Sequence, residues 1–307
     1  MDLWNGKRYH SLNHFLRNKF GKKVFKISLD GGFSCPNRDG TINRDGCIFC
    51  SESGSGDFAG DRNLSIHSQF ENIKDMMSKK WKDGSYIAYF QAYTNTYAPV
   101  KVLREKYEEA INQQGVVALA IATRPDCLQD EVLDLLEELN KKVYVWVELG
   151  LQTINEETAK KINRGYTLDV FKNAIKRLRE RKIDFVVHTI FGLPGETKDD
   201  MFNTIDYIAH SGAKGIKFHL LHLMKGTRLV NLYEEGKLEF LSQEEYIDLI
   251  CKSIMMLPKD MVVHRLTGDS PRELLIGPMW SLKKWEVLNN IDKAMEENNY
   301  IQGMNFR

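Results

Sequence analysis

Six short apolar runs, rich in β-branched and aromatic residues, recur along this chain, each separated from the next by a stretch with helical periodicity. They are VFKISL (24–29), YIAYFQ (86–91), VALAIA (117–122), VYVWVE (143–148), FVVHTI (185–190) and GIKFHLL (215–221). Runs of this length and make-up read as strands, and the spacing between them is what crossover helices need. Strands joined in this way form a parallel sheet covered by its helices, and repeated right-handed βα units curl the sheet towards a barrel. Six units fall short of the eight that close one. The sequence therefore predicts an α/β fold, a partial (β/α)6 TIM-like barrel over residues 24–224. A basic N-terminal arm (1–23) precedes it and a mainly helical C-terminal extension (225–307) follows it. With 42% hydrophobic residues in 307, the chain can bury a core of that size.

In such barrels the working residues gather at the carboxyl ends of the strands. The segment after the first strand is CPNRDGTINRDGCIFC, with Cys35, Cys47 and Cys50. Three thiolates are one too few to saturate a four-iron cubane, so one iron would stay open, as metals in catalytic sites do. Ferredoxin runs supply four cysteines at other spacings, so an electron-transfer cluster fits poorly. A structural zinc is the competing reading; with no second CxxC it would draw a fourth ligand from elsewhere, such as His67 or Cys127. Thioredoxin-type redox chemistry would leave Cys35 unexplained, and the polar segment reads as a loop rather than a helix start. The remaining cysteines, Cys127 and Cys251, read as small buried residues, and five in all imply no disulfide framework.

The formal net charge of +1 decides nothing about nucleic acid, but its distribution is uneven. The first 26 residues hold Lys7, Arg8, Arg17, Lys19, Lys22, Lys23 and Lys26 against Asp2 alone, interleaved with Trp4, Tyr9, His10, His14 and Phe15. Basic residues release counterions from phosphate backbones and aromatic rings stack on unpaired bases, so this arm is a candidate RNA surface. A second cluster, Lys172 to Lys182, reads as a solvated helix face. No run of eighteen apolar residues occurs and the amino terminus lacks a signal-peptide pattern, so no membrane partner and a cytoplasmic location are expected.

The cysteine loop and the segments YFQAYTNTYAP, ATRPDC, WVELGLQT, FGLPGET and HRLTGD together resemble radical S-adenosylmethionine (SAM) enzymes. The resemblance covers nearly the whole chain and is to the small bacterial YhcC/YtqA-like family, close to the elongator-type branch. It implies a partial barrel of the radical SAM type and a [4Fe-4S] cluster on Cys35, Cys47 and Cys50. The open iron would bind SAM, and an electron from flavodoxin or ferredoxin would cleave it to a 5'-deoxyadenosyl radical. Phe49 is then expected against the adenine. Gln91, Tyr93 and Thr94 stand where the superfamily commonly has a Gly-Gly-Glu, a departure that leaves the partner of the SAM amino group open. Glu148 and Gln152, in ELGLQ, are expected to meet the ribose or amino group. Gly192 and Leu193 lie in a turn whose glycines allow close backbone approach, and His188 projects from the strand before it.

Arg124 and Asp126, in TRPD, and Arg265, in HRLTGD, are the substrate-side candidates; paired structural charges are the alternative. The resemblance also implies a transfer RNA substrate, whose wobble 5-carboxymethylaminomethyluridine would be converted to 5-aminomethyluridine. Two further readings stay open: a radical SAM enzyme acting on a small metabolite or porphyrin-like compound, and a non-enzymatic nucleic-acid-binding protein with a structural zinc. Cys127 and Cys251 are too few for a second cysteine-ligated cluster, which disfavours methylthiotransferase activity.

Overall fold

The computed structural model of the chain describes residues 3–54, 56–78 and 84–307. The first helix, α1 (Leu12–Phe20), starts where the Ser11 hydroxyl accepts a hydrogen bond from the His14 amide, and ends at Gly21, whose φ of 69° suits a residue without a β-carbon. After it come β1 (Val24–Leu29), α2 (Ile66–Ser78), β2 (Ser85–Phe90), α3 (Val100–Ile111), β3 (Val116–Thr123), α4 (Asp130–Asn140) and β4 (Tyr144–Gln152). The chain continues through α5 (Glu156–Lys161), α6 (Leu168–Glu180), β5 (Asp184–Phe191), α7 (Lys198–His210) and β6 (Gly215–Leu220). All six strands pair in parallel, in chain order, as a partial barrel requires.

The two faces of the sheet carry different residues because side chains alternate along a strand. On β4, Val145, Val147, Leu149 and Leu151 join the main core beneath the helices, whereas Trp146 faces the concave interior with Ala118, Ala120 and Val186. The same interior cluster takes in Leu16 of α1, with Leu12, Phe15 and Phe20 packed against it. The N-terminal segment is therefore a plug in the floor of the barrel. Tyr9 is buried, Phe15 lies 6.0 Å from Tyr144, Lys19 Nζ sits 4.1 Å over the Tyr144 ring, and Trp4 stacks on His10. Its aromatic rings are engaged inside the fold rather than presented for base stacking. Arg177 of α6 and Arg181, just beyond its end, pair with Asp130 of α4, a solvated helix face as the charge pattern indicates.

The extension contributes β7 (Leu223–Met224), α8 (Leu229–Glu234), α9 (Gln243–Met256), β8 (Val262–Arg265), β9 (Leu275–Gly277) and α10 (Lys284–Glu297). β7 and β9 form a small antiparallel pair. The apolar runs of the sequence do not include β8, yet it joins β6 as a seventh parallel strand. Ser11, at the start of α1, pairs with Val263 of β8, so the N-terminal segment reaches the far edge of the open sheet. α9 begins with a reciprocal Ser242–Glu245 capping box, and on α10 Val287, Ile291 and Met295 are buried. Among the described residues, no helix is long and apolar enough to cross a membrane.

Candidate active site

The cysteine loop leaves the carboxyl end of β1 and is held by polar side chains rather than by regular structure. Asn37 donates to the Asn163 carbonyl (2.7 Å) and approaches Cys47 Sγ at 3.7 Å, while Asn163 Nδ2 donates to the Gly46 carbonyl (2.6 Å). Arg38 donates to the carbonyls of Cys50 (2.9 Å), Ser51 (2.5 Å) and Glu52 (3.2 Å), stapling the end of the loop to its start. Between Cys47 and Cys50, Ile48 sinks into an apolar cluster with Ile162, Ile190, Leu193 and Leu221, against which Phe49 packs. Leu193 thus lies under the loop. Gly192, at φ 83°, turns the chain there, and neither residue borders the cleft that the cysteines face.

That cleft has a free volume of about 210 Å³ and is bordered by Cys35, Cys47, Cys50 and Phe49. Gln91, Tyr93 and Thr94 follow β2 along one wall, and Gln152 ends β4 along another. Tyr93 and Gln152 are held at φ 60° and 68°, conformations uncommon outside glycine that cluster at functional sites. Arg124 borders the cleft but is committed: it forms a bidentate pair with Asp126 (2.9 and 2.7 Å) and donates to the Arg164 carbonyl (2.9 Å). Asp126 and the buried Cys127 lie outside the cleft. The Tyr166 ring carries Arg124 at 4.8 Å and the almost fully buried Arg164 at 4.6 Å.

Below the strand ends is a layer of buried charge. Glu148 is fully buried and accepts hydrogen bonds from Trp146 Nε1 (3.0 Å), His188 Nε2 (3.0 Å) and Lys217 Nζ, with Lys26 Nζ 3.7 Å away. Burial alone would raise its carboxyl, but Lys217 and Lys26 hold it well below the usual range. Burial, followed by the Lys217 charge, brings His188 down to about 4 against the pull of Glu148, so the ring is neutral near pH 7 and donates from Nε2. Glu148 borders the cleft with its hydrogen bonds to Trp146, His188 and Lys217 directed at the floor, whereas Gln152 stands at the rim. Arg265 borders the same cleft, and its ion pair with Asp269 is long, at 3.9 Å.

Arg38, Arg164, Tyr166 and Lys217 are cleft residues that the sequence reading did not single out. Arg38 sits inside the cysteine loop itself, a signal that was available. Lys217, in the otherwise apolar GIKFHL, could have been flagged as a charge on a strand expected to be buried.

The donor set suits an iron-sulfur cluster: three cysteine thiols outside any disulfide border one cleft, and an amide group approaches one of the sulfurs. His67, weighed as a zinc ligand, is bonded through Nδ1 to Gln113 (2.8 Å) and does not border the cleft. Among the described residues, no group of three His, Cys, Asp or Glu side chains is placed to hold a single metal ion.

Residues 35–208 match the radical SAM superfamily, and residues 213–297 match the Radical_SAM C-terminal domain. YtqA of Bacillus subtilis is 55% identical over 301 residues, covering 98% of this chain and 94% of its own. A tRNA uridine(34) acetyltransferase of Methanocaldococcus jannaschii is 28% identical over 185 residues, 59% of this chain and 33% of that protein. The archaeal Methanocaldococcus infernus Elp3 with an N-terminal deletion superposes with a TM-score of 0.69 at 18% identity, over 91% of this chain and 64% of that one. The chain belongs to the radical SAM superfamily, whose enzymes use a [4Fe-4S] cluster and SAM.

Proposed function

We propose that the protein is a tRNA-modifying radical SAM enzyme that converts the wobble 5-carboxymethylaminomethyl group of uridine, with or without a 2-thio group, to 5-aminomethyl. The observation that carries this reading is the shape of the cleft. Its free volume of about 210 Å³ admits single groups of a substrate and not a duplex. A base extruded from the anticodon loop fits such a space. Kinship with a protein named for uridine 34 of tRNA supports the same substrate class.

Cys35, Cys47 and Cys50 would hold the cluster, with Phe49 and Gln152 on the SAM side. With both groups bound, and an external donor such as flavodoxin or ferredoxin, the site gains a 5'-deoxyadenosyl radical able to take hydrogen from a carbon of the substrate. The protein's own residues hold the base, screen the site from water and present the carbon to be attacked. Tyr93 borders the cleft, with Arg38 (5.8 Å) and Arg62 (5.5 Å) over its ring as cations beside the path of a phosphate backbone.

The test is anaerobic reconstitution followed by incubation with SAM, a reductant and tRNA bearing 5-carboxymethylaminomethyluridine. Deoxyadenosine and 5-aminomethyluridine are expected together, and both are lost in Cys47→Ala. Deoxyadenosine with unchanged tRNA would overturn the substrate and leave the small-metabolite reading. A protein that takes up zinc but neither iron nor sulfide would overturn the enzyme reading.

A further inference from the structure

The barrel floor holds more positive than negative charge. Lys217 pairs in register with His188 on one side and Arg265 on the other, so the three lie in one row across β5, β6 and β8. Lys217 is 3% exposed and Arg265 33%, and Lys26 of β1 reaches the same carboxylate, Glu148, as Lys217 does. One buried carboxylate thus faces Lys26 and Lys217, while the long partner of Arg265, Asp269, is engaged by Lys284 (2.5 Å).

This charge is next to open space. Lys217 and Arg265 border the cysteine cleft and also a hollow of about 380 Å³ between α1 and β8, which Lys26 and His264 line as well. Arg265 borders a third hollow too, beside His219 and His222. His219 Nε2, His222 Nε2 and His264 Nδ1 are buried with no hydrogen-bond partner among the described residues. Lys217 is held by Glu148 and the Tyr89 hydroxyl (3.2 Å), and Lys26 lies 4.3 Å over the Tyr89 ring, so the loosely paired cation is Arg265, and the three imidazole nitrogens beside it lack the partners that buried polar atoms normally have.

We propose that Lys217 and Arg265, backed by Lys26, form an anion subsite that seats the carboxylate of the substrate's side chain at the floor of the cleft. An ammonium and a guanidinium on adjacent strands match the single charge and two oxygens of a carboxylate. Seated there, a carboxymethylamino group would point its carboxylate at the floor and lie between that floor and the cysteine loop. Assigning the carboxylate to a wobble base rests on the tRNA reading above; the subsite itself does not.

The experiment measures binding by ligand-observed NMR on cluster-loaded protein with SAM and no reductant, so that nothing turns over. The probes are 5-carboxymethylaminomethyluridine, 5-aminomethyluridine, N-ethylglycine and inorganic phosphate. The carboxymethyl nucleoside is expected to bind at least ~10-fold more tightly than the aminomethyl one, a difference of about 1.4 kcal/mol. Arg265→Gln should bring the ratio close to one while SAM still binds. Lys26→Met, at a more accessible lysine, should reduce it in the same direction. A ratio unchanged in both variants overturns the subsite. Binding of N-ethylglycine that depends on Arg265, with neither nucleoside bound, supports the subsite and overturns the wobble base. Phosphate binding in place of N-ethylglycine overturns the carboxylate assignment.

Discussion

The side-chain amide of Gln152 folds back over Gly150, so closely that a β-carbon added to Gly150 would lie 2.6 Å from Gln152 Nε2. The β4–β5 register shifts between these two residues, and the bulge aims Gln152 along the rim of the cleft.

Gly150→Ala should therefore displace Gln152 while the strand stays paired. SAM affinity of the cluster-loaded protein is expected to fall about 10-fold, or ~1.4 kcal/mol, by equilibrium dialysis. Unchanged affinity would remove Gln152 from the SAM site.

Glu148 is the carboxylate shared by Lys217, Lys26 and His188. Its replacement by alanine leaves Lys217 charged and buried without a partner, which typically costs 3–5 kcal/mol. Glu148→Ala combined with Lys217→Met should lose clearly less than the sum of the two single changes, as urea denaturation would show. Strict additivity would mean that the pair is not coupled.

Arg38 acts on the cysteine loop through main-chain carbonyls. Arg38→Ala should lower iron and sulfide retained per chain after reconstitution, with little change in the far-ultraviolet circular dichroism. Arg38→Lys should restore only part of the content, because an ammonium cannot reproduce the planar fork of the guanidinium. Full iron loading in Arg38→Ala would refute the stapling role.

Glu196 accepts a hydrogen bond from Thr153 Oγ1, and burial raises its carboxyl to about 7. The folded state therefore binds this proton more tightly than the unfolded chain. The stabilisation is fully present below the ordinary carboxylate value near 4.5 and is lost as pH rises through about 7. Glu196→Gln should flatten the stability curve over that window and, at pH 8, be more stable by ~1–2 kcal/mol, less than full linkage because the residue is only half-buried. Parallel pH curves for the two proteins would contradict the shift.

Strands were legible where short runs rich in β-branched and aromatic residues recur: β1 spans Val24–Leu29, as its sequence run does, and the ends of β2, β3 and β5 differ by one residue. β4 runs on to Gln152 because Leu149 and Leu151 continue its outward face through a glycine that breaks the local pattern. β8 was not legible. Its four residues VVHR follow a helix end, and only the β6 edge makes them a strand. The basic residues around Leu12, Phe15, Leu16 and Phe20 hid an amphipathic helix, so the segment read as an arm instead of a plug. At the site, the cysteines and Gln152 stand out by type and spacing. Lys217 can be marked as a charge on a strand expected to be buried, but nothing in the sequence says that its partner is a glutamate two strands away.

The join between the first residues and β8 has a consequence for the order of folding. The His10 carbonyl accepts from the Val263 amide (2.8 Å), and Gln302 accepts from the His10 amide (2.8 Å) while donating to the Pro258 and Met261 carbonyls. Residues near position 10 are thus fastened to residues made about 250 positions later. During synthesis, Leu12, Phe15 and Leu16 have a barrel floor to enter only after five or six strands have left the ribosome, and the seam closes only when Val263 and Gln302 follow. Contacts of such sequence separation are slow to form, and the exposed floor is the stage at which a nascent chain of this kind is most open to aggregation and to chaperones.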